Sequence, residues 1–272
     1  MLTVTSRWLT YFTAILYAIL GAFLFFLPEQ LAPVFAWKVT AFMTMTIGAW
    51  CLGNAWLAWI SARRWEWRLV YSALIYLWLF GIFEMGVVIA FRAKLQLVHP
   101  IAWLYLAALT VNVLTALLGF FDWLRLRPAR EKFGLQFGNA QLPYIVAFII
   151  FVGFLALYGL FAPVGAPGTN GGIFPEVMSP FTLRSFAVFY LALAIAVGVF
   201  LWDRNLDAIL HHSLASYGLV AIITLAAFAY LRLFDFAARP GGLLYFGAYL
   251  AVGIPLFFVF RKHGTGKAEK VP

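Results

Sequence analysis

Long apolar runs alternate along the chain with short segments that carry most of the polar and charged residues. Each run is near the roughly 20 residues an α-helix needs to cross about 30 Å of hydrocarbon. Eight are expected to span, at 8–27, 33–60, 67–91, 99–124, 142–163, 180–203, 213–235 and 240–260. Helices are required because an open sheet in lipid leaves backbone groups unpaired, and barrel strands would alternate in polarity over about 10 residues. The expected fold class is therefore all-α, a polytopic membrane protein with eight transmembrane helices.

One phrase occurs twice at matching places in the pattern. Leu27-Pro28-Glu29-Gln30-Leu31-Ala32-Pro33-Val34-Phe35 joins the first run to the second, and Phe174-Pro175-Glu176-Val177-Met178-Ser179-Pro180-Phe181-Thr182 joins the fifth to the sixth. Each is followed by a base, Lys38 or Arg184. His99-Pro100 with Tyr105 in the fourth run also recurs as Arg239-Pro240 with Tyr245 in the eighth. Four runs per half is an even number, so the pattern predicts two parallel four-helix repeats related by an axis along the membrane normal. The expected divisions are a first repeat at 1–127, a basic linker at 128–141, a second repeat at 142–262 and a polar tail at 263–272. The second half adds a Gly- and Pro-rich outer loop, Pro163 to Gly172, read as a tolerated insertion.

Composition agrees with this picture. Of 272 residues, 65% are hydrophobic and 11% charged, against about 25% charged in soluble domains. The net charge of +9 sets topology and does not mark a nucleic-acid surface, because the bases sit in loops between apolar runs. With both termini cytoplasmic, 13 of the 19 Lys and Arg residues fall on the inner side. Met1 to Arg7 and the run after it read as a first span, since that run exceeds the roughly 7–15 residues of a cleaved signal core. The single cysteine, Cys51, permits no intrachain disulfide and reads as a packing residue. Small-residue pairs at helical spacing, Ala194 with Gly198 and Gly247 with Ala251, are expected to mark close helix contacts.

Charges inside membrane spans are costly and point first to function. Lys38 and Glu84 are expected several residues inside the second and third spans, with Arg184, Arg232 and Asp235 at shallower depths in the sixth and seventh. These five residues form the candidate ligand site, an outward-facing pocket between the repeats for a small polar or anionic molecule. In it the bases bind and the acids position them. The alternative is internal pairing of Glu84 with Lys38 and of Asp235 with Arg232 or Arg239, the remaining bases reaching the headgroups.

No cofactor or metal is expected. His99 lies at an outer helix start, and the pair His211 and His212 at the inner start of the seventh span, so no iron could join them. No nucleophile motif, phosphate loop, dinucleotide fingerprint or zinc signature is present, and an enzyme is the less expected class. The leading expectation is a cell-membrane binding or transporter-like protein, with the bilayer, a small anionic ligand and other membrane proteins as partners and no nucleic acid. The alternatives are a non-catalytic subunit of a larger membrane complex and, third, a lipid-modifying enzyme.

Overall fold

The computed structural model describes residues 2–128, 136–139, 141–163, 176, 178–238 and 240–263. Nine α-helices occur among them: α1 (Val4–Phe26), the single turn α2 (Pro28–Leu31), α3 (Ala41–Arg64), α4 (Trp67–Ala90), α5 (Pro100–Leu126), α6 (Leu142–Phe161), α7 (Pro180–Gly198), α8 (Leu206–Ala229) and α9 (Gly242–His263). Six of them, α1 and α4 to α8, are long and apolar enough to cross a membrane, which suggests a membrane protein. α3 falls outside that group: it carries Asn54, Trp50, Trp56, Trp59 and two inward hydroxyls, Thr44 and Thr46.

Helix ends follow local chemistry. Thr3, Thr40, Ser179 and Asn205 each accept a backbone N–H with a side-chain oxygen at the start of α1, α3, α7 and α8. Pro100 and Pro180 occupy the first positions of α5 and α7, where a missing N–H leaves no bond unmade. The start of α1 is also held from α5. Buried Asp122 accepts from Thr3 N at 3.1 Å, from Ser6 Oγ at 2.5 Å and from Thr3 Oγ1.

α3, α4, α7 and α8 form the centre. α3 packs on α8, and α4 packs on α7 and α8; α1 and α5 flank one side, α6 lies against α7, and α9 against α8. Ser72 on α4 donates to Ala196 O at 2.7 Å and meets His212 Nδ1 on α8 at 3.0 Å, tying three central helices together. α1 and α3 approach each other closely enough to bring backbone against backbone. A Cβ on Gly48 would lie 2.5 Å from Phe25 N, and one on Gly21 2.7 Å from Leu52 N.

Several expectations need correction. The second run does not become one helix from 33: residues Ala32–Val34 make a 3₁₀ turn, and α3 begins only at Ala41. The intervening Phe35, Ala36 and Trp37 are fully buried without being helical. Backbone of that kind is tolerated when protein covers it, and Gln96 N donates to Ala36 O at 2.8 Å. Lys38 is accordingly outside a helix and exposed. The seventh run begins earlier, at Leu206, so His211 and His212 lie inside α8 and are buried. That helix ends at Ala229, leaving Arg232 in a 3₁₀ turn and Asp235 in the coil beyond it. The small-residue pairs do not make close contacts, since a Cβ on Gly198 or Gly247 would meet nothing within 4 Å. Spacing alone cannot tell which helix face is opposed by a neighbour. Of the second Pro-Glu junction, Phe174, Pro175 and Val177 lie outside the described residues, as do Arg239, residues 164–172 of the loop, most of the linker and the tail from 264.

Candidate functional site

The segment between α2 and α3 borders two chambers. The outer one is an open pocket of about 360 Å³ lined by Glu29, Lys38, Thr40, Gln96 and neighbouring small residues, within the usual range of roughly 300–1,000 Å³ for small-molecule sites. Glu29 comes from α2, Lys38 and Thr40 from the coil before α3, and Gln96 from the loop before α5. The second half of the chain reaches this place too. Thr40 Oγ1 donates to Glu176, and Tyr230 Oη donates to Glu29 Oε1 at 2.9 Å. Glu29 thus lines the pocket while Glu176 holds Thr40 of its wall, the two Pro-Glu carboxylates lying close enough for the charge of Glu29 to act on Glu176.

Burial and then the bond to Glu29 push the Tyr230 phenol up to about 12, so it remains a donor. Glu176 is raised above the ordinary 4.5, first by burial and further by Glu29, while the Thr40 bond acts in the opposite direction. An acid whose pKa is higher in the folded than in the unfolded state takes up protons on folding. Its contribution to stability is complete below about 4.5 and is lost as pH rises through the raised value. Thermal midpoints measured across that range should fall with rising pH, and Glu176→Gln should flatten the fall. An unchanged slope in the variant would assign the effect elsewhere.

The inner chamber is a closed cavity of about 20 Å³ lined by Tyr17, Trp37, Ile47, Trp50, Cys51, Phe80, Glu84, Tyr105, Leu109 and Ser185. Glu84 is 3% exposed. Its Oε1 accepts from Tyr105 Oη at 2.7 Å and from Ser185 Oγ at 2.8 Å, while Oε2 has no partner. The chambers are stacked along α3, with Ala41 at the outer one and Ile47, six residues on, at the inner, about 9 Å along the axis. Trp37, next to Lys38 in the chain, lines the inner cavity. Its ring stacks on Phe181 with centroids 4.2 Å apart and planes 9° apart, and its Nε1 donates to Thr182 Oγ1 at 3.0 Å.

Of the five residues singled out in the sequence, Lys38 lines the outer pocket and Glu84 the inner cavity. Arg184 turns to α6 and donates to Gly159 O and, at 3.1 Å, to Ala162 O, closing the carbonyl end of that helix. Arg232 is exposed beside Tyr230, on whose phenol its charge acts. Asp235 is exposed and accepts from Ala238 N at 3.0 Å. Glu84 is bonded to hydroxyls from α5 and α7, not to Lys38. Glu29, Glu176, Thr40, Gln96 and Trp37 were missed as site residues. The doubled Pro-Glu phrase was the available signal for the two acids. Among the described residues no group of three or more His, Cys, Asp or Glu side chains is arranged to hold a metal ion.

No known protein family matches the chain, and no curated protein or solved structure is significantly similar to it.

Proposed function

We propose that this is a cell-membrane protein of eight spans, arranged as two parallel four-helix repeats with both termini cytoplasmic, that binds a small zwitterionic molecule in the outer pocket between the repeats. The repeat is supported by the pairing of helices across the middle: α3 packs on α8 as α4 packs on α7, the arrangement a two-fold axis along the membrane normal produces. The binding role rests on one observation, an open pocket lined by Glu29 and Lys38 whose Thr40 is held by a second carboxylate, Glu176, within reach of the charge of Glu29. Two carboxylates suit an ammonium group, and a flexible lysine suits the accompanying phosphate, sulfonate or carboxylate. A site that accepted only anions would place Glu29 and Glu176 against its own ligand.

Thermal shift of the purified protein tests this with phosphoethanolamine, taurine and glycine betaine, against acetate, phosphate and methylamine as single-charge controls. A ligand at a hundred times its Kd adds about 2.7 kcal/mol, a rise of several degrees for a chain of this size. The rise should be confined to zwitterions and be lost in Lys38→Ala and in Glu29→Gln. A shift with anions alone, lost in Arg184→Ala but kept in Lys38→Ala, would return the site to the original five-residue cluster. No shift with any zwitterion would remove the proposal.

A further inference from the structure

We infer that the closed cavity around Glu84 binds one water-sized monovalent cation, independently of any ligand in the outer pocket. A buried carboxylate normally shares its charge with a base or fills both oxygens with donors. Glu84 does neither. Both its hydrogen bonds, from Tyr105 and Ser185, fall on Oε1, and no Lys, Arg or His among the described residues pairs with it. Oε2 is left without a partner on a residue that lines a cavity.

The cavity's size and walls define what would complete it. At about 20 Å³ it admits one particle of water's dimensions, so organic ammonium ions are excluded. Divalent ions are excluded by chemistry. The chamber offers a single carboxylate, which leaves a divalent charge half unbalanced, and its volume of about 20 Å³ cannot hold the several waters that Mg²⁺ retains. Sodium, potassium and ammonium remain. The Tyr17 oxygen already accepts from Asn112 Nδ2 at 3.0 Å, which fixes it in place at the rim of the chamber. Trp37, Trp50 and Phe80 add aromatic rings to the wall, and ring faces attract cations more strongly where water is excluded. The competing occupant is a water that accepts from the unpartnered Trp50 Nε1 and donates to Glu84 Oε2.

The test uses the full chain in detergent, exchanged into choline chloride and titrated with sodium, potassium or ammonium chloride at constant ionic strength. Tryptophan fluorescence includes Trp37 and Trp50 among the 11 tryptophans of the chain and is read as the difference from Glu84→Gln, and mass spectrometry follows labelling of Glu84 by a hydrophobic carbodiimide. At least one of the three ions should give a saturable fluorescence change and protect Glu84 from the reagent. Glu84→Gln should weaken that response by about tenfold or more, the loss of one charge-assisted interaction, while Lys38→Ala and Glu29→Gln leave it unchanged. The glutamine can still accept both hydroxyl bonds, and the labelling readout on the unaltered chain needs no variant. Absence of a saturable response to all three ions, or the same response in Glu84→Gln, would overturn the inference in favour of a bound water. Because the outer-pocket variants are controls here, failure of the zwitterion site would not be mistaken for failure of this one.

Discussion

Trp37→Ala is expected to cost about 3–5 kcal/mol, the range for deleting a large buried aromatic side chain, and to open the inner cavity. The ring is 2% exposed, is stacked on Phe181, packs edge-on against Tyr105 at 5.2 Å, and donates to Thr182. Its removal takes away part of the wall of the inner cavity and the indole N–H donor of Thr182 Oγ1, which keeps its contact with Ser179 Oγ. The chain supplies its own reporter, because the only cysteine, Cys51, lines that cavity. A small, charged thiol reagent added to the outside should leave Cys51 intact in the unaltered protein and label it in Trp37→Ala. Trp37→Phe keeps a ring against Phe181 but loses the hydrogen bond and part of the indole volume, so its stability loss should exceed about 1 kcal/mol yet stay below that of the alanine variant, and Cys51 should be labelled less than in Trp37→Ala. Equal labelling of all three proteins would mean that Trp37 does not shield the inner cavity.

Gly48→Leu should prevent a stable fold altogether. Overpacking a core usually costs about 1–3 kcal/mol because side chains can shift. Here the first carbon of the new side chain would meet backbone, 2.5 Å from Phe25 N and 2.9 Å from Leu24 C. Backbone can move only by separating α1 from α3, which pack against each other extensively. The yield of monodisperse protein and its thermal midpoint would show this directly. Gly198→Ala is the matched control: a Cβ there meets nothing within 4 Å, and alanine is favoured over glycine in a helix by about 1 kcal/mol. That variant should be neutral or slightly stabilised. If both substitutions were tolerated equally, the α1–α3 approach would be looser than described.

The course of the chain through apolar surroundings was legible in the sequence; its local conformation and its contacts were less so. Phe35, Ala36 and Trp37 read as the continuation of a helix because hydropathy records where residues are buried, not whether they are wound. Two nearby prolines, Pro28 and Pro33, carried the contrary signal, and the cap at Thr40 gave the true start. The end of α8 was placed too late for a similar reason, since Leu231, Leu233, Phe234 and Phe236 prolong the apolar run beyond the last helical turn. Glu84 stood out correctly as an unusual group in an apolar run, yet its partners lie 21 and 101 residues away on other helices, and only the packing could name them. Glu29 and Glu176 were noticed as punctuation between runs. That they lie close together depends on how the two halves are turned toward each other, which no spacing along the chain encodes.

The clasp of Asp122 on Thr3 and Ser6 bears on how the protein is made. These bonds join residues 116 and 119 positions apart, so Thr3 and Ser6, already capping α1 between themselves, can gain the acid only after nearly the whole first half has emerged from the ribosome. The acid then closes that half into a ring before the remaining four long helices arrive to dock on it. An affinity tag fused ahead of Thr3 therefore sits on the latch of the first half.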